Sequence, residues 1–134
     1  MNDRENEIYT YIRNAVKDVF PSASVSDVYL RVPPSFPHVS IMQIDSSEPK
    51  AHIDSSMKEK FTQLSFQIDI YSDDETKKKT ICKIIAQIVD ETMKGINFRR
   101  QSLRPVPNLA DATIYRITAR YTGIVSDDGM FYAS

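Results

Sequence analysis

Little in this chain can cross-link, hinge tightly or cradle a phosphate. It has one cysteine, Cys82, so no internal disulfide can form and a reducing compartment suits it. Three glycines in 134 residues leave neither a GxGxxG nor a P-loop pattern, and no G-x-S-x-G appears. No apolar run approaches the ~18 residues of a membrane span, so no membrane partner is expected. The start, MNDRENEIYTYIRNAV, is acidic and polar where a secretory signal begins basic and then apolar. A chain made and used inside a cell is the expectation. The formal net charge is −1, which gives no general electrostatic case for nucleic acid or acidic lipid as a partner. No internal repeat is visible.

What the chain does have is core. Hydrophobic residues make up 41%, and the length suits one domain, residues 1–134. The chain is organised around residues 61–93. FTQLSFQIDIYS places Leu64, Phe66, Ile68 and Ile70 on one face and Gln63, Ser65, Gln67 and Asp69 on the other, the period of a half-buried strand. The period then changes. Ile81, Ile84, Ile85, Ile88 and Val89 recur at helical spacing, and Gly95 closes the run. Ser72 and Glu75 match a capping box, with Asp73 and Asp74 suited to a first turn. Five buried aliphatics at roughly 1.5–3 kcal/mol each give a gross term of about 10 kcal/mol.

Around this unit the chain reads in order. A helix is expected from residue 2 or 3 to Phe20, with an apolar stripe of Ile8, Ile12, Ala15, Val16 and Val19; Pro21 stops it. Tyr9 and Tyr11 border the stripe. Residues 22–26 read as a connection, 28–32 as a short strand, 33–37 (PPSFP) as a stiff loop, and 38–44 as a strand of imperfect alternation. Residues 45–60 form the longest polar segment and read as a flexible loop. Beyond Gly95, residues 98–103 can form a strand and RPVPNLAD, 104–111, a loop. The run 113–125 puts Tyr115, Ile117, Ala119 and Tyr121 on one face and Arg116, Thr118, Arg120 and Thr122 on the other, an antiparallel strand with one wet face. The tail has a turn at 127–129, then apolar Met130, Phe131 and Tyr132. That end, residues 126–134, either folds back onto the body or docks onto another chain. Taken together these elements make an α+β domain.

No catalytic constellation stands out. His38 and His52 have no second ligand at metal spacing. Cys82 reads as a buried, inert thiol beside the helical stripe. Asp69, Asp73, Asp74 and Glu75 lack the glycine and spacing of a calcium loop. One asymmetry remains. Arg99, Arg100, Arg104, Arg116 and Arg120 fall in the last two strands against the single acid Asp111. They are either a solvated sheet face paired with acids elsewhere or a contact surface for an acidic partner or passing DNA. The outward positions carry no aromatics, so base stacking fits poorly.

The ordering of these motifs carries a resemblance. PHVSI at 37–41 is followed by a polar excursion and then FQIDIYS at 66–72. A helix with an Ile/Val stripe, a short strand with Phe98, YRITARYTGIV at 115–125 and the turn SDDG complete the order. Across roughly residues 7–128 this resembles the tail terminator (tail-to-head joining) proteins of long-tailed bacteriophages. The resemblance implies an α+β fold: a mixed, mainly antiparallel sheet with an N-terminal helix and a central helix packed against it. It implies a ring, usually six-fold, on the head-proximal end of a tail tube. The ring would stop tube polymerisation and dock the head connector, while DNA passes through it without sequence-specific binding. Its partners would be further copies of the chain, the tail tube protein and the head-completion or connector protein. It would be assembled in the host cytoplasm, reside in the virion, and need no catalysis or cofactor. Such a ring closes by rotation through heterologous interfaces.

The contacts are expected in the polar loop (Ser47, Glu48, Pro49, Lys50, Ser55, Ser56), in the basic cluster (Arg99, Arg100, Arg104) and in the tail (Met130, Phe131, Tyr132). Two other functions compete. One is a head-completion, connector or minor capsid protein of the phage neck. The other is a small cytoplasmic ligand-binding or enzyme subunit, which would need a concave pocket with converging polar groups.

Overall fold

The computed structural model describes residues 5–28, 33, 35–47, 61–107, 113–126 and 131–132. Among these residues two helices and six strands follow one another as α1 (Glu5–Val19), β1 (Ser24–Ser26), β2 (His38–Ser47), β3 (Phe61–Ser72), α2 (Lys78–Gly95), β4 (Arg99–Pro107), β5 (Tyr115–Ser126) and β6 (Phe131–Tyr132). The strands form one sheet in the order β1-β2-β3-β5-β4, with β6 paired to the end of β5. Only β1–β2 is parallel; the other pairings are antiparallel. The fold is therefore α+β, with a mixed, mainly antiparallel sheet. The core lies between one face of the sheet and the two helices, which also pack on each other.

The central unit matches the sequence pattern. Leu64, Phe66, Ile68 and Ile70 of β3 are all fully buried on the helix side, and Ile117, Ala119 and Tyr121 of β5 join them. On α1, Ile8, Ile12 and Val16 are fully buried, but Val19 is 53% exposed. Val19 is the last helical residue, and Phe20, whose amide reaches Val16 O at 2.8 Å, supplies the packing there instead. The buried arc of α2 is Cys82, Ile85, Ala86, Val89 and Met93. Ile81 and Ile88 are half-buried at its border, and Ile84, 40% exposed, lies beyond it. At 100° per residue the arc centres on Val89, which turns Ile84 away from the sheet.

Four expectations about element ends need correction. A short strand lies at Ser24–Ser26, inside the segment expected to be a connection. It has no hydrophobic alternation, and its pairing on His38–Ser40 is what makes it a strand. Val28 sits in an exposed bend, and 29–32 lie outside the described residues. β2 runs three residues into the expected loop. A register shift between Gln43 and Asp45 explains its broken alternation and leaves Ile44 exposed.

The capping box does not form. Helix α2 has no side-chain cap at Lys77 and no acid in its first turn. Instead Asp74 Oδ1 accepts Thr76 N (3.0 Å), Lys77 N (2.8 Å) and Thr76 Oγ1 (3.1 Å), and so organises the turn that feeds the helix. These donors, opposed only by a little desolvation, hold the Asp74 carboxyl below the usual carboxylate value. At the other end the helix closes at Gly95, as expected, and Asn97 beyond it is left-handed, φ 65°. It returns the chain so that Phe98 N reaches Met93 O at 2.9 Å.

Finally, β4 extends through 104–107, which had read as loop. An edge strand tolerates Pro105 and Pro107, because a proline there need not donate to a further neighbour.

Candidate interaction surface

The strands that build the core necessarily build a second surface, since every other side chain points to the helix-free face. Register decides which side chains meet on it. Asp69 lies opposite Ser40 on β2 and Thr118 on β5, and Thr118 lies opposite Arg104 on β4. One row away, Gln67 lies opposite Met42 and Arg120, and Arg120 lies opposite Ser102. On the other side, Tyr71 lies between His38 and Arg116.

The centre of this face is closed to solvent. Asp69 is fully buried, and its Oδ1 accepts Arg116 Nε (3.2 Å), Arg116 Nη2 (3.0 Å) and Thr118 Oγ1. Its Oδ2 accepts Gln67 Nε2 at 3.2 Å, and Gln67 Oε1 in turn accepts Arg120 Nε at 3.3 Å. The Arg116 guanidinium also lies over the Tyr71 ring, 5.7 Å from its centroid. Four donor contacts on one carboxylate are what a buried charge requires.

Next to it, the imidazole of His38, 1% exposed, bridges β1 and β2. Its Nδ1 contacts Ser24 Oγ, and its Nε2 lies 3.0 Å from Ser26 Oγ. Ser24 Oγ also lies 3.2 Å from Ser35 O and Ser26 Oγ 2.9 Å from Val28 O. A neutral ring donates to one serine and accepts from the other, so one hydroxyl at a time can donate to its carbonyl, and the imidazole ties both ends of the loop that follows β1. Burial without an acidic partner lowers the His38 pKa.

A second cluster lies on the helix side of β4 and β5. Asp90 of α2 accepts Tyr121 Oη at 3.0 Å, and it pairs with Lys94 (2.9 Å) and Arg100 (3.5 Å). Partial burial opposes the Asp90 charge, but these hydrogen bonds and cations outweigh it and hold its pKa down. Burial first, and then the Asp90 charge, push the Tyr121 hydroxyl well up. Beside this cluster an open cleft of about 240 Å³ is lined by Lys83, Ala86, Gln87, Asp90, Arg100, Leu103 and Ile117. Asp90 and Arg100 of its lining are already paired with each other. Cys82 is buried and faces the backbone carbonyls of Ile70 and Tyr115, and burial raises its thiol pKa to about 12.

The candidates from the sequence divide as follows. Arg99 and Arg104 lie on the helix-free face with Arg120, and all three are exposed. Arg100 does not join them. The register shift between Arg100 and Ser102 turns it to the helix side and onto Asp90. Ser47 ends β2, opposite Gln63. Glu48, Pro49, Lys50, Ser55 and Ser56 lie outside the described residues, as does Met130. The backbone of Phe131 and Tyr132 pairs with Val125 and Ile124, so this part of the tail returns to the sheet. The Asp69–Arg116 bond and the His38 bridge were not foreseen. The one available signal was Asp69 itself, an acid at a central position of the most hydrophobic strand.

No family model matches the chain, and neither does any curated protein. A solved structure does match: a chain from the virion of a native gene transfer agent (GTA) particle. It superposes with a TM-score of 0.59 at 18% sequence identity, over 86% of this chain and 88% of that one. At this identity the likeness is one of fold.

Proposed function

We propose that the chain is a structural protein of a phage-like virion, and that within the virion it caps the head-proximal end of a tail tube as a ring. One observation carries the reading. The fold is shared, nearly end to end, with a chain of a gene transfer agent virion. The motif order PHVSI, FQIDIYS, YRITARYTGIV favours the tail-terminator position within such a particle. On this reading the ring is six-fold, stops tube polymerisation, docks the connector of the filled head and lets DNA through. Its work is assembly, with no chemical step and no cofactor. The buried Asp69–Arg116 pair fits a part whose sheet must stay rigid, because both charged groups are satisfied only in one register.

The test is electron microscopy of lysates in which the gene carries an early stop codon. Overlong tail tubes beside filled, tailless heads are expected. Tails of normal length beside unjoined or leaking heads would place the protein on the head side of the neck instead. Intact, infectious particles would end the virion reading altogether.

A further inference from the structure

The helix-free face carries three exposed guanidinium groups and no free carboxylate among its described side chains. Arg99, opposite Thr122, and Arg104, opposite Thr118, sit about 13 Å apart along β4. Arg120 lies between them on β5, one strand spacing inward. Arg99 and Arg104 make no ion pair or side-chain hydrogen bond with any described residue, and Arg120 uses only its Nε, on Gln67. The acid of this face, Asp69, is saturated by Arg116, Thr118 and Gln67.

The complementary charge is elsewhere on the same chain. Asp73, Asp74 and Glu75 are consecutive and exposed in the turn between β3 and α2. Asp74 spends Oδ1 on that turn, while Asp73 and Glu75 have no partner among the described residues. The turn leaves the sheet at the end where β3 stops and β5 begins, and none of its carboxylates pairs with Arg99, Arg104 or Arg120 of the same copy.

We propose that these two patches are the halves of one heterologous contact: the Arg99–Arg104–Arg120 face of one copy receives the Asp73–Glu75 turn of the next. The proposal rests on the ring reading and names its interface. Two different patches meeting head to tail give either a closed ring or a filament. Arginine forks pair with carboxylates in two-bond geometry, which fixes orientation as well as attraction. A second copy is a better occupant than a polyanion for two reasons. The chain has a formal net charge of −1, and the outward row of β5 has no aromatic side chain on which a base could stack.

The experiment is sedimentation velocity of the purified full chain at low and high salt. Four samples are compared: the parent, Arg99→Glu/Arg104→Glu, Asp73→Lys/Glu75→Lys, and an equimolar mixture of the two variants. The parent is expected to self-associate with concentration and to dissociate as salt rises. Each variant alone is expected to lose about tenfold or more in association, and the mixture to regain it, because each interface in the mixture can be made of matched charges. Thermal melts of the variants should overlay the parent, since the four side chains are exposed.

A parent that stays monomeric at low salt, variants that associate as well as the parent, or a mixture that stays dissociated would each overturn the contact. So would variants that keep self-association while Arg99→Glu/Arg104→Glu loses retention of a duplex oligonucleotide in a gel. The two proposals fail separately. Salt-insensitive association with overlong tails in the stop-codon lysate removes this contact and keeps the tail reading. Charge-dependent association with intact particles does the reverse.

Discussion

The two faces of one sheet solve burial in opposite ways. On the helix side β3 and β5 contribute Leu64, Phe66, Ile68, Ile70, Ile117, Ala119 and Tyr121, and the helices exclude water from them. On the other side the same strands contribute Asp69, Arg116, Thr118 and Gln67, and the centre of that face is closed as well. The first face needs only shape and apolar area, so it tolerates some exchange of side chains. The second needs every lone pair of one carboxylate answered, so it tolerates almost none. Two carboxylates make the contrast local. Asp69 and its partner Arg116 are 0% and 15% exposed, whereas Asp90 and its partner Arg100 are 14% and 46% exposed. The chemistry is the same, but water can replace Arg100 and cannot readily replace Arg116.

The largest effect that would break this contrast is on the apolar side. Ile85→Asp puts an unpaired carboxylate into the hydrophobic core, and its cost should exceed a net stability of about 5–15 kcal/mol. The variant should show no cooperative unfolding by circular dichroism. A parent-like melt would mean that α2 does not close the core.

Next comes the polar side. Arg116→Met leaves Asp69 buried without its guanidinium and should cost about 3–5 kcal/mol in a urea titration. Adding Asp69→Leu should recover most of the loss, because the pair then becomes apolar. A single-variant cost below about 1 kcal/mol would equate Arg116 with an ordinary surface ion pair.

A smaller effect sharpens the helix side. A Cβ added at Gly123 would lie 2.6 Å from the Phe98 ring, which also packs edge-on against Phe66. Gly123→Ala should therefore cost about 1–3 kcal/mol by overpacking, and the added truncation Phe98→Leu should lower the cost of the alanine.

The smallest effect is the pH dependence from His38. Its pKa is lowered in the fold, so the unfolded chain takes up the proton first. The contribution is complete above the unfolded value of about 6.5 and is lost as pH falls below it. His38→Gln should flatten the stability slope between about pH 7 and 5.5, relative to the parent. An unchanged slope would mean that the Ser24–His38–Ser26 bridge opens without consequence.

Much of the architecture was legible because its signals are local. Period-2 alternation placed β3 and β5, the i, i+4 stripe placed α1, and the change of period between Ser72 and Ile81 placed α2. What escaped were features with no local period. Ser24–Ser26 is polar on both faces and becomes a strand only beside His38. Pro105 and Pro107 look like loop until β4 proves to be an edge. Among the candidate contacts, the sequence grouped Arg99, Arg100 and Arg104 by proximity, and one extra residue in β4 sent Arg100 to the other side.

By itself the sequence determined the α+β class, the buried faces of the long strands, the buried cysteine and the surplus of arginine near the C-terminal end. Each follows from side-chain type read at a fixed short period. Only the tertiary structure decided which arginines are spent and which remain exposed. Asp69 finds Arg116 across 47 positions of chain, and Asp90 finds Arg100 between a helix and a strand. Such pairs are fixed by strand register and by single-residue bulges, and a shift of one residue would exchange the two faces and every partner on them.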